Sequence, residues 1–197
     1  MKAVLASNNK HKLVEIKTML SGKFDDILTL KDLNINIEIE ENGSTFEENA
    51  YIKASTIAKM TNMCAIADDS GICVLALDGE PNIYSARYAG EPCNDKNNNE
   101  KLLSKLHALE KNGAPVDRTA YFQSVVVLCQ PDGSYVSGSG RTYGKIIDEY
   151  RGANGFGYDP IFLSSELNKT FGEATMEEKN TISHRSRALK DLLSKLS

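Results

Sequence analysis

Apolar and polar positions recur along this chain with two different periods. Residues 2 to 6, KAVLA, form a short unbroken apolar run that predicts a buried strand, and Ser7-Asn8-Asn9 breaks it. Leu13, Ile16, Met19 and Leu20 then follow at helical spacing. The stretch NINIEIE, residues 34 to 40, alternates strictly and predicts a strand. Thr45 and Glu48 fit a capping box ahead of a helix near 46–60. CAIA (64–67) predicts a strand and GICVLAL (71–77) a second one. NEKLLSKLHALEK (99–111) is amphipathic and helical, and the polar NDKNNNEK (94–101) leads into it as a loop. Residues 119–147 predict a long hairpin turning at Pro131-Asp132-Gly133. GFGYDPIF (155–162) is a glycine-punctuated loop entering a strand, and a last helix starts near Ser183 and runs through Leu189, Leu192, Leu193 and Leu196.

Strands and helices alternate early and a hairpin comes late. That order predicts an α/β fold, with a mixed sheet flanked by helices rather than a purely parallel one. No repeat, low-complexity tract or Pro-rich linker forces a boundary, so residues 1–197 are expected to form a single domain. With 41% hydrophobic and 25% charged residues, the chain can build a sizeable core. Its net charge of −4 argues against nucleic acid or an anionic membrane as the main partner. Cys64, Cys73, Cys93 and Cys129 form no C-x-x-C pair, and Cys64 and Cys73 lie in apolar runs that suit small buried hydrophobes. No signal peptide and no apolar run near the ~20 residues of a membrane span are visible, which predicts a soluble cytoplasmic protein.

Four stretches carry candidate chemistry, each with a plainer alternative. The first is the strand–Ser7-Asn8-Asn9–helix turn, whose first helical residues are Lys10, His11 and Lys12. A helix N-terminus offers unpaired N–H groups to an anion, yet cations there oppose the macrodipole. An anion above the turn would reconcile the two; solvated lysines on a surface helix are the alternative. The second is EIEENG, where alternation puts Glu38 and Glu40 on one face and Glu41 on the other; it can equally be a solvated strand edge. The third is Asp68-Asp69-Ser70-Gly71. Its composition suits a hairpin turn, but both flanks are strongly apolar, and a buried carboxylate needs a partner or a metal. Oxygen ligands such as Glu40 and Asp69 suit Mg²⁺. The fourth joins Phe156, Gly157, Tyr158 and Asp159 to Lys179, His184 and Arg185. Aromatics beside glycines can stack on a base or simply fill the core; His184 alone suits a structural histidine, and Ser183 can be a helix cap.

In order along the chain, ASNNKHKLVEI (with Ser7, Asn9, Lys12 and Glu15), EENGSTFEENAYIKA, AIADDSGICV, GEPNIYSARYAG, GFGYDPIF and EKNTISHR resemble the inosine/xanthosine triphosphate pyrophosphatases. The likeness covers nearly the whole chain and departs at Asn8, where the family often has Gly. It implies a long twisted mixed β-sheet flanked by helices, with two lobes and the active-site cleft between them. It implies hydrolysis of ITP, dITP or XTP to the monophosphate and pyrophosphate, with Mg²⁺ as cofactor and a homodimer as the assembly.

By the same resemblance, Asp69 is the general base and, with Glu40, a metal ligand, Glu41 being a substitute for Glu40. Asp68 orients Asp69 or binds a second metal. Ser7, Asn8, Asn9, Lys10, His11, Lys12 and Lys53 hold the phosphates, and Ser70 contacts the substrate. Phe156, Gly157, Tyr158, Asp159, Lys179, His184 and Arg185 select the base. The competing readings are a Maf-like pyrophosphatase for other modified nucleotides, a non-catalytic nucleotide sensor and, disfavoured by the net charge, a nucleic-acid-binding module.

Overall fold

The structure is a computed structural model that describes residues 2–111 and 115–196. Its order of elements is β1 (Lys2–Leu5), α1 (Lys10–Leu20), β2 (Asp26–Thr29), α2 (Phe46–Thr61), β3 (Cys64–Val74), α3 (Asp95–Glu110), β4 (Thr119–Cys129), β5 (Tyr135–Ile146), β6 (Phe162–Ser164), α4 (Met176–Ile182) and α5 (His184–Ser194), with short 3-10 turns between some of them. The strands form one sheet in the order β2-β1-β3-β4-β5-β6. β1 runs parallel to both β2 and β3, whereas β5 and β6 are antiparallel, so the sheet is mixed as its element order predicts.

The chain divides into two compact units, and β3, β4 and β5 contribute residues to both. The first unit comprises Met1–Asp69, Ser124–Gly140 and Arg185–Ser197. Its core is built from β1, the apolar stripe of α1, the start of β3, the end of β4 and Ala188, Leu189 and Leu192 of α5. The second unit comprises Ser70–Gln123 and Arg141–His184. Its core gathers Ile72 and Val74 of β3, three leucines of α3, Phe122, Tyr158, Phe162 and Phe171. Phe122 stacks on His184 with ring centroids 4.9 Å apart. Cys64 and Cys73 are buried, as their apolar flanks predict.

Several expectations need correction. Residues 34–40 form no strand. Ile35, Ile37 and Ile39 are half-buried while Asn36, Glu38 and Glu40 are exposed, so the alternation is present in burial. Alternation reports which side of an extended chain is covered, not whether another backbone stands beside it; DILT (26–29) is the strand paired to β1. CAIA and GICV belong to one strand, not two, and Asp68–Gly71 is no turn. α3 starts at Asp95, inside the polar stretch expected to be a loop, because Asn94 caps it by accepting the Asn97 N–H at 3.0 Å. A helix the pattern does not predict, α4, precedes the last one, carries Lys179 and opens with a Thr175/Glu178 capping box. Leu196 lies past the end of α5 and is exposed.

Candidate active site

In the first unit the chemistry gathers around the middle of β3. Asp68 and Asp69 are adjacent on a strand, so their side chains leave opposite faces of the sheet, and both are buried. Asp68 Oδ2 meets Lys12 Nζ at 3.1 Å and accepts from Arg185 Nε at 3.1 Å. Arg185, about 1% exposed, also donates to Glu15, which is buried on α1. Burial works to raise the Asp68 pKa, but Lys12, Arg185 and Lys53 outweigh it and hold the carboxyl well below the usual range. Its Oδ1 is buried without a hydrogen-bond partner among the described residues.

Asp69 has a different environment. Asn49 Nδ2 donates to its Oδ2 at 3.1 Å, and Lys53 Nζ stands 3.7 Å from Oδ1. Burial pushes the Asp69 pKa up, more than Lys53 and Lys12 pull it down. Lys53 itself bonds Glu41 at 3.0 Å; the acids around it outweigh the effect of burial and raise its pKa. Asn49 is fully buried and also accepts the Gly43 N–H at 2.8 Å, which ties the 41–44 segment to α2.

The structure thus brings together Lys12, Lys53, Asp68, Asp69 and Arg185 among the predicted residues. It also brings in Glu15 and Asn49, whose roles the sequence analysis missed, and Glu41, which it held only as a substitute. The clue for Asn49 is a polar residue on the buried side of α2, beside Ala50 and Ala54. Glu40 is exposed and makes no hydrogen bond or ion pair among the described residues, so Glu41 is the acid that joins the group. Arg185, expected at the base, donates to Asp68 and Glu15 in the first unit. In the Ser7–Lys12 turn, Asn9 caps α1: its Oδ1 accepts the N–H of His11 at 3.0 Å and of Lys12 at 3.2 Å. Two of the amides expected to face phosphate are therefore engaged by this cap. Asn8, Lys10 and His11 are exposed, and Ser7 Oγ accepts the Asn9 N–H at 3.2 Å.

In the second unit a separate group surrounds Asp159. Its Oδ2 accepts the Phe156 N–H at 2.9 Å and binds Lys179 Nζ at 2.7 Å. Lys179 Nζ also lies 5.2 Å from the centre of the half-buried Phe156 ring. Gly155, at φ +76°, makes the approach possible, since a Cβ there would sit 2.0 Å from Asp159 Oδ2. Tyr158 is a core residue, its hydroxyl donating to the Ser85 carbonyl at 2.8 Å. Burial drives its pKa above the usual tyrosine range. His184 is buried against Phe122. Ser70, half-buried, is the first residue of this unit and follows Asp69 directly in β3.

A mixed sheet with flanking helices that gathers two buried aspartates and two lysines at the middle of one strand defines an α/β protein with a charged candidate site. Its relatives make the class specific. The chain belongs to the Ham1 family, whose sequence model matches residues 3–195. It is 48% identical over 186 residues to a dITP/XTP pyrophosphatase of Geobacter sulfurreducens, covering 94% of this chain and 92% of that one. It is 47% identical over 197 residues to a dITP/XTP pyrophosphatase of Clostridium perfringens, covering 97% and 95%. Among solved structures it resembles the Ham1 protein of Staphylococcus aureus, at a TM-score of 0.86 and 43% identity, covering 100% of this chain and 98% of the other. This membership decides between the two pyrophosphatase families in favour of the one the six sequence blocks resemble. Among the described residues, no helix is long and apolar enough to cross a membrane.

Proposed function

We propose that this protein hydrolyses non-standard purine nucleoside triphosphates, ITP, dITP and XTP, to the monophosphate and pyrophosphate. The observation that carries the reading is Asp69: a buried carboxylate with a raised pKa, held by Asn49 and set beside Lys53. The names of relatives 48% and 47% identical over nearly the whole chain support the substrate class. In the reaction, a water oxygen attacks the α-phosphorus, Asp69 takes the water's proton, and the bond from the α-phosphorus to the bridging oxygen breaks. Pyrophosphate leaves with the electron pair of that bond. Lys12 and Lys53 neutralise phosphate oxygens, as point charges on buried stems. Arg185 acts through Asp68, which in turn holds Lys12.

The residues fit a magnesium ion. Asp69 and Glu41 are oxygen donors that share Lys53. That is the donor set of an ion held by one or two carboxylates and completed by substrate phosphates. Bound there, Mg²⁺ would supply charge neutralisation on the phosphates.

The group around Asp159 is the base side of the proposal, with Phe156 stacking on the purine and Lys179 supplying hydrogen-bond donors. A donor aimed at the purine 6-position accepts a keto oxygen and leaves an adenine amino group unmatched, at about 1–3 kcal/mol per buried contact. The homodimer implied by the family resemblance belongs to this proposal as well, and sedimentation equilibrium showing only single-chain mass would remove it. The decisive assay is pyrophosphate release from ITP and XTP against ATP, with and without Mg²⁺. Metal-dependent release from ITP and XTP, with ATP at least tenfold poorer, is expected; release of inorganic phosphate alone would overturn the reading.

A further inference from the structure

We propose that Asp95 and Asn99 are specificity-determining positioning residues for the base side of this site. The inference rests on the functional reading above and deepens it. Both peptide groups of Gly157 are gripped by α3: Asp95 Oδ2 accepts the Gly157 N–H at 2.8 Å, and Asn99 Nδ2 donates to the Gly157 carbonyl at 3.1 Å. The two side chains are four residues apart and so share a helix face. The helix they stand on is itself fixed. Asn98 accepts the Ala89 N–H at 2.7 Å and donates to the Ala86 carbonyl at 2.8 Å, and Leu102, Leu103 and Leu106 lie in the core of the second unit.

Phe156, the ring assigned to stacking, precedes Gly157 directly. A peptide held at both its N–H and its carbonyl side has its planes fixed, and the Phe156 Cα is part of one of those planes. Asp95 and Asn99 therefore set where the ring stands relative to Lys179. Discrimination at the purine 6-position needs the Lys179 donor at hydrogen-bonding distance from a base whose tilt is set by that ring. A looser ring lets a mismatched base shift until the unfavourable contact is relieved. Besides Gly157, the Asn99 side chain meets the Tyr150 hydroxyl. The residue is 2% exposed, and its Oδ1 is buried without a hydrogen-bond partner among the described residues. An apolar side chain of similar size would avoid that cost but could hold neither partner, and of the two it is the Gly157 carbonyl that fixes the peptide next to Phe156. The Asp95 bond involves a charged acceptor, which strengthens it.

The test compares Asp95→Ala and Asn99→Leu with the unaltered protein in pyrophosphate release from XTP and ATP. Each variant is expected to raise KM for XTP about tenfold with kcat within about twofold, and to lower the XTP-to-ATP ratio of kcat/KM about tenfold, the loss of one buried hydrogen bond. Inhibition by added pyrophosphate, which has no base, should be unchanged. Asp95→Asn keeps an acceptor and should recover most of the loss, whereas a role confined to the helix dipole needs the charge and would not be rescued. If Asp95→Ala fails to fold, Asn99→Leu decides alone. Unchanged KM and substrate ratio, with only a lower melting temperature, would overturn the proposal. Failure of the unaltered protein to release pyrophosphate from XTP would instead remove the functional reading, and this inference with it.

Discussion

Two neighbouring aspartates on one strand are given opposite characters by their surroundings. Asp68 is held by Lys12 and Arg185 and stays ionised far into acid; Asp69 is held by a neutral amide, with Lys53 farther away, and its pKa is raised. The consequences for stability have opposite signs. The lowered pKa of Asp68 gives stability that is fully present above its unfolded value of about 3.9 and is lost as pH falls through the folded value. Asp68→Asn should therefore destabilise the protein at pH 7 by about 3–5 kcal/mol, because it leaves Lys12 and Arg185 buried without their anion. The deficit should shrink below pH ~4, as measured by urea unfolding at several pH values. The raised pKa of Asp69 means that its charge opposes folding at neutral pH. Asp69→Asn should lower kcat by about 10²–10⁴-fold while leaving the melting temperature unchanged or higher. Near-normal turnover by that variant would end the general-base assignment.

At the scale of elements, helices carry the cations to the strand. α1 brings Lys12 and Glu15, α2 brings Asn49 and Lys53, and α5 brings Arg185 on its first turn. The placing of α5 depends on Gly138 of β5, where an added Cβ would lie 2.3 Å from the Ala188 carbonyl oxygen and from the Leu192 nitrogen. Backbone stands on both sides of that contact, so the clash cannot be relieved by a rotamer. Gly138→Ala should push α5 outward and destabilise the first unit by about 1–3 kcal/mol. It should also reduce activity through Arg185 and Asp68. Denaturant unfolding and pyrophosphate release, measured on the same preparation, check both halves; a loss of stability with full activity would show that Arg185 need not be held in place by α5.

At the scale of the whole molecule, the first unit carries paired acids with lysines and the second an aromatic ring with a buried lysine, and the proposed function assigns the phosphates to the former and the base to the latter. A ligand that binds only the folded chain stabilises it by mass action, by about 2.7 kcal/mol at a concentration 100 times its Kd. XTP with Mg²⁺ should raise the melting temperature of the inactive Asp69→Asn protein more than pyrophosphate with Mg²⁺ does at the same concentration, because only XTP engages Phe156 and Lys179. Equal shifts would mean that the base side contributes nothing to binding. Much of this was legible in the residues. An apolar run marks β1, apolar spacing marks α1 and α5, a capping box marks α2, and six ordered motifs carry the family, because a helix or strand that buries one face or caps its own end must write that into its local pattern. Partner choice is written nowhere locally. That DILT rather than NINIEIE pairs with β1, that the two aspartates share one uninterrupted strand, that Glu41 rather than Glu40 meets Lys53, and that Arg185 closes on Glu15 across 170 positions all depend on which backbones and charges come together from distant parts of the chain. Only the tertiary structure decides those, because a strand needs a neighbour and a buried charge needs a counter-charge, and neither is recorded in the residue that needs it.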